Sequence, residues 1–249
     1  MTFSLSAAGV GVVLLDIEGT TTPIEFVHRT LFGFARAQVR DYLAARIHHA
    51  EIASALDGLR GEHAADVAAG LSPPPWGDDS AGTRLESVVA YVGWLINRDR
   101  KSRWLKELQG RIWEEGYVRG ALKGEVYPDV PPALHRWTAA GASVGIFSSG
   151  SVLAQKLLFA HSTAGDLTPF LRWHFDTATG PKTDAASYAR IAAEVSSPPD
   201  RILFVSDVTK EIDAARAAGF QTLLCVRPPA LLPVNAATYA VVETFEQVV

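Results

Sequence analysis

The stretch Val10-Gly11-Val12-Val13-Leu14-Leu15-Asp16-Ile17-Glu18-Gly19-Thr20 decides the fold. Its apolar part, residues 10–15, is too short for a typical helix, is rich in branched side chains and stops abruptly on an acid. That pattern predicts a buried parallel strand. The apolar start of the chain also imitates a signal-peptide core, but no basic residue precedes it and an acidic motif follows at once.

Working outward, runs of the same kind recur at 143–147, 201–205 and 221–226, each closed by Gly, Ser, Asp or Pro. Helical spacing at 151–160, 184–195 and 209–218 separates the later ones. The alternation predicts an α/β fold with a doubly wound parallel sheet. Weaker runs at 173–175 and 239–242 are candidates for edge strands.

Residues 26–124 read differently. No strand-like run occurs there, and Leu85, Val88, Val89, Val92, Leu95 and Ile96 recur at helical intervals. The segment Ser72-Pro73-Pro74-Pro75-Trp76-Gly77-Asp78-Asp79 breaks the pattern, because proline lacks a helix donor and restricts the residue before it. The expected organisation is a core from 1–25 and 125–249, interrupted by an all-helical cap over 26–124. Trp94, Trp104 and Trp113 fit packing positions of that cap. The run Arg98-Asp99-Arg100-Lys101 is expected to be a solvated helix face.

Composition narrows the function classes. A chain of 249 residues, 48% hydrophobic and 20% charged, with net charge −4, is ordinary for a globular protein and carries no basic footprint for nucleic acid. No stretch reaches the roughly 18 continuous apolar residues of a membrane span. The expected compartment is the cytoplasm. A single cysteine, Cys225, lies among apolar neighbours and reads as structural, and the seven histidines show no metal-ligand spacing.

In such a sheet, ligands meet the carboxyl ends of the strands. The first strand delivers Asp16 and Glu18, the second Ser148-Ser149-Gly150-Ser151, and the third Ser206-Asp207, with Glu211 one turn into the next helix. A loop at 179–184 adds Lys182. Asp16 can accept a phosphoryl group covalently. Glu18 can protonate the leaving oxygen and then deprotonate water. Ser148 and Ser149 at a helix start, with Lys182, suit phosphate oxygens. Asp16 and Asp207 offer the hard oxygens that Mg²⁺ prefers, and an apo protein should be less stable because the gathered carboxylates repel. Singly, each group has an ordinary explanation as a turn acid, a helix cap or a surface lysine. Their joint order on successive strand ends favours the chemical one.

These motifs resemble the haloacid dehalogenase-like superfamily of phosphatases, with Asp-x-Asp-x-Thr, a Ser/Thr-ended strand, a lysine and a late acidic pair. Here the second acid is Glu18. The wording Asp16-Ile17-Glu18-Gly19-Thr20-Thr21-Thr22-Pro23-Ile24 is similar to the enolase-phosphatase branch, in which glutamate is the expected residue. Further similarity lies at Leu108-Gln109-Gly110, Gln155-Lys156-Leu157-Leu158-Phe159, His174-Phe175-Asp176-Thr177 and Asp207-Val208-Thr209-Lys210-Glu211. The resemblance implies a bifunctional enzyme of methionine salvage acting on a small phosphorylated diketone, 2,3-diketo-5-methylthiopentyl-1-phosphate, with one Mg²⁺ per subunit. In those terms Asp16 is nucleophile and metal ligand, Glu18 gives its backbone carbonyl to the metal, and Asp207 is the other ligand. Ser148, Ser149 and Lys182 hold substrate, and both Glu18 and a cap residue remain candidates for the enolisation base. A sugar-phosphate phosphatase would share every core residue. A receiver module would carry its aspartate after a middle strand. No sustained heptad points to an oligomer, so a monomer is expected, with no membrane or nucleic-acid partner.

Overall fold

The computed structural model describes residues 2–98, 100–234 and 236–249. Six parallel strands form one sheet in the order β3-β2-β1-β4-β5-β6, where β1 is Val12–Leu15, β2 Ser143–Phe147, β3 Leu171–Phe175, β4 Ile202–Ser206, β5 Gln221–Cys225 and β6 Val241–Val242. β1 pairs on both sides, Leu15 standing against Ile146 of β2 and Val205 of β4. All four residues of β1 are buried. Val12 and Leu14 enter a cluster with Tyr188, Phe204 and Ile212, while Val13 and Leu15, equally buried, point to the opposite face. Two covered faces explain why the run does not alternate.

The weak runs at 173–175 and 239–242 indeed lie in the edge strands, β3 and β6. β1 starts later than its apolar run because the Val10 amide donates to Leu5 O in an N-terminal turn. The other strand and helix bounds depart from the apolar runs by a residue or two, as is usual where hydrogen bonding rather than hydropathy decides an end.

Two compact units make up the chain: residues to Val27 with Lys123–Val249, and His28–Leu122. The first holds the sheet and, among the described residues, four α-helices, α5 (Val130–Ala139), α6 (Val152–Ala160), α7 (Ala185–Glu194) and α8 (Thr209–Ala217). α7 and α8 begin where Asp184 and Val208 leave the helical region, and Asp184 accepts the Ala186 amide as a cap.

Four helices build the second unit: α1 (Phe32–Arg46), α2 (Ala50–Ala68), α3 (Ala81–Asn97) and α4 (Arg103–Val118). The predicted stripe lies on α3, where Val88, Val92, Leu95 and Ile96 are buried and Leu85 and Val89 half-buried. Ser80 and Ser102 cap α3 and α4. Trp94 Nε1 donates to Ser72 O and His63 Nε2 bonds Pro74 O, pinning the proline loop. Trp113 Nε1 donates to Leu31 O. Trp104 lies where a Cβ on Gly58 would meet its ring at 2.1 Å, so only glycine lets the two approach.

The basic run is not a helix face. α3 ends at Asn97, and the Arg98 guanidinium stacks 4.1 Å over the Trp94 ring while Arg100 donates to buried Asp66 at 2.8 Å. Asp99 lies outside the described residues. Among the described residues no helix is long and apolar enough to cross a membrane.

Candidate active site

Strand order reverses between β1 and β4, and this switch point is where a crevice opens at the carboxyl ends of a doubly wound sheet. β1 ends there at Leu15 and β4 at Ser206, so Asp16 and Asp207 leave adjacent strands side by side. Asp16 is 4% exposed. Its Oδ1 accepts from the Ile17 amide at 2.7 Å and pairs with Lys182 Nζ at 2.6 Å. Its Oδ2 is reached by the Ser206 hydroxyl at 3.1 Å. Oδ2 therefore keeps the more available lone pairs.

Lys182 Nζ also stands 2.6 Å from Glu211 Oε2, so one ammonium links two carboxylates. Burial works against the charged amine, but Asp16 and Glu211 outweigh it and raise its pKa. Behind it, fully buried Tyr188 donates to Lys182 O at 2.6 Å and fixes the loop. Ser206 is within reach of Glu211 at 2.9 Å as well as of Asp16, and its single proton serves one at a time. Burial pushes Glu211 upward, with Asp16 adding to the shift. Burial pushes the Asp207 carboxyl up to about 7, with Asp16 and then Glu211 contributing.

The turn after β1 is shaped around Asp207. Gly19 adopts φ +69°, and a Cβ there would come 2.2 Å from Asp207 Oδ2. The Thr20, Thr21 and Thr22 amides all point at Ile17 O, and Thr21 Oγ1 donates to Asp16 O at 3.0 Å. Glu18 is half-buried on this turn. Ser148 is buried at the end of β2, where its hydroxyl accepts the Gly150 amide, and Ser149 beside it is half-buried. Ser151 caps α6, and Gln155 Nε2 donates to both Gly150 O and Phe175 O, tying together the ends of β2 and β3. Asp16, Lys182, Ser206 and Glu211 are thus in direct contact, with Asp207 against the turn and the two serines on the neighbouring strand.

Among the described residues no three His, Cys, Asp or Glu side chains form a ready-made metal cage. The donors that are present nevertheless fit a hard divalent ion. Among the described residues Asp16, Asp207 and Glu211 share one ammonium, and buried Thr20 Oγ1 has no hydrogen-bond partner. Mg²⁺ takes one or two carboxylates and completes its octahedron with water and phosphate oxygens. A half-open pocket of about 690 Å³, bounded by Gly19, Ile24, Tyr127, Asp207 and Pro228, opens beside the acids.

Comparison with known proteins shows the family. The model of the haloacid dehalogenase-like hydrolases matches residues 10–219. An enolase-phosphatase E1 of Synechococcus elongatus is 54% identical over 216 residues, which cover 87% of this chain and 88% of the relative. The chain belongs to the enolase-phosphatase family. Its Sorangium cellulosum relative, also an enolase-phosphatase E1, is 41% identical over 98% of this chain and 99% of its own. The crystal structure of the Unknown transcript 4 protein from Saccharomyces cerevisiae matches with TM-score 0.76 and 32% identity, covering 95% of this chain and 99% of that one. Family membership makes the chain a hydrolase of the phosphatase type.

Two structural supports of this enolase-phosphatase site were not singled out from sequence. Tyr188 looks like one more apolar helix residue, and its role appears only with Lys182 O above it. Arg227 follows the apolar run 221–226, and a charged residue closing a buried apolar run was the available signal. Cys225 is buried, which pushes its thiol up to about 12 and agrees with a structural role.

Proposed function

We propose that the chain converts 2,3-diketo-5-methylthiopentyl-1-phosphate to the acireductone 1,2-dihydroxy-3-keto-5-methylthiopentene, the enolisation and dephosphorylation step of methionine salvage. The observation that carries the reading is the Asp16 carboxylate, buried, oriented through Oδ1 by Lys182 and met at Oδ2 by the Ser206 hydroxyl, in a motif whose second acid is Glu18.

Enolisation removes a proton from C1 and adds one to the C2 oxygen. Glu18 and a residue of the helical unit are both candidates for the base. An Asp16 oxygen then bonds to phosphorus as the ester P–O bond breaks, and Glu18 in its acid form protonates the departing enol oxygen. Glu18 carboxylate next takes a proton from water, whose oxygen attacks the aspartyl phosphate and releases Asp16 and inorganic phosphate. Lys182 and the Ser148 and Ser149 groups hold the phosphoryl oxygens. Asp16, Asp207 and the Glu18 backbone carbonyl would hold Mg²⁺, one per subunit, which when bound would supply Lewis-acid polarisation of the carbonyl and phosphoryl oxygens. The reading includes a monomeric, cytoplasmic enzyme with a small-molecule substrate and no nucleic-acid or membrane partner.

Purified protein is expected to release phosphate from the diketone phosphate only with Mg²⁺, passing through an enol seen by ultraviolet absorbance. Asp16→Asn should abolish phosphate release with the fold intact by circular dichroism. Full release by that variant would refute the nucleophile. Phosphate without any enol or acireductone would refute the enolase half.

A further inference from the structure

Arg227 is 6% exposed and takes no part in the chemistry above. Its Nε and one terminal nitrogen donate to the same acceptor, Thr20 O, at 3.0 and 2.8 Å. The other terminal nitrogen pairs with Asp129 Oδ2 at 2.5 Å and reaches Glu243 O at 3.3 Å. The guanidinium carbon lies over two rings, 4.4 Å from the Tyr127 centroid and 4.6 Å from that of Phe245. Asp129 is itself held, because its Oδ2 also accepts the Phe245 amide. A planar fork, paired with a carboxylate and in contact with two rings, has little rotamer freedom left to lose.

What the fork grips is the turn that carries Asp16 and Glu18. Inside that turn the Asp16, Ile17 and Thr22 carbonyls are met locally, and Thr21 O accepts the Tyr127 amide. Thr20 O is met by a side chain from the far end of the sequence. The same turn presses Gly19 against Asp207, so a shift of Thr20 changes the placing of the Asp16 and Asp207 carboxylates. We infer that Arg227 is a positioning residue, a clamp on Thr20 O that holds the nucleophile turn in register with Asp207 and thereby sets both turnover and divalent-ion affinity. Lysine cannot replace it, since one ammonium cannot bond Thr20 O twice, pair with Asp129 and lie over both rings. The inference rests on the phosphatase reading of Asp16.

The test compares wild type with Arg227→Lys and Arg227→Ala in the full chain, measuring kcat, KM and Mg²⁺ half-saturation, together with the Mg²⁺-induced shift in melting temperature. Arg227→Lys is expected to fold, to keep KM within about threefold, and to lose about 100-fold in kcat, as for a small misplacement at the reacting centre. Its Mg²⁺ half-saturation should rise about tenfold, with a smaller Mg²⁺-induced thermal shift. Millimolar guanidinium should restore part of kcat to Arg227→Ala and none to Arg227→Lys. Equal kcat and equal Mg²⁺ half-saturation in Arg227→Lys and wild type overturn the clamp. So does a loss in Arg227→Ala that merely follows its folded fraction and ignores guanidinium. A failure of the phosphatase reading shows separately, as wild type without Mg²⁺-dependent phosphate release. The thermal shift of wild type against Arg227→Lys then still decides the clamp.

Discussion

Gly19 shows how much the site asks of a single residue. Its positive φ is a conformation that side chains rarely adopt, and the space a methyl would need is filled by Asp207 Oδ2. Gly19→Ala should therefore combine backbone strain of about 1–3 kcal/mol with displacement of the Asp207 carboxylate. We expect a lower melting temperature and a larger loss in kcat than in KM, measured on the same preparation. Asp16 and Glu211 illustrate the opposite economy, two acids kept close by one buried ammonium whose loss would leave them uncompensated. At this scale the sequence was informative about identity and silent about contact. Asp16, Glu18, Ser148, Ser149 and Asp207 could each be named from strand ends, and Lys182 from a loop before a helix. That Lys182 rests on Asp16 and Glu211 could not, because the lysine lies in a loop whose path is set by Tyr188 beneath it.

Among the elements, β1 and β3 mark the two extremes. β1, central and buried on both faces, was legible because its neighbours force it to be apolar throughout. β3 is an edge strand of mixed exposure, and its short apolar signal understated it. His174 on β3 is half-buried, and its Nε2 has no hydrogen-bond partner in the structure. Burial, with Lys156 second, lowers its pKa below the usual 6.5. The unfolded chain thus binds the proton more readily than the folded one, so stability is fully present above pH 6.5 and is lost as pH falls below it. Thermal melts of wild type against His174→Gln across pH 7.5 to about 5 should show a shallower acid-side decline in the variant. Equal slopes would remove His174 from the account.

For the molecule as a whole, the acid cluster makes the chain depend on what binds there. Three carboxylates and one ammonium at the switch point leave a local excess of negative charge that a bound divalent ion would offset. At Mg²⁺ a hundredfold above its dissociation constant, linkage stabilises the folded state by about 2.7 kcal/mol. For a chain of this size that corresponds to several degrees in melting temperature, at about 2–4 °C per kcal/mol. Differential scanning calorimetry with Mg²⁺ and with chelator checks this, and coincident melts would contradict a metal site among these residues. Two compact units, each with its own core, also make separate melting steps the natural outcome to look for.

The amino-acid sequence by itself determined the strand–helix alternation, the long helical stretch and the ordered list of chemical groups, because burial on both sheet faces and helical periodicity leave marks within a few residues of each other. Family resemblance followed from the same local wording around Asp16. Only the tertiary structure decided which of those groups touch. The pairing of Lys182 with Asp16 and Glu211, the fit of Asp207 against Gly19, and the grip of Arg227 on Thr20 join residues far apart in the chain. Such contacts depend on strand order and loop path, which no local pattern of side chains records.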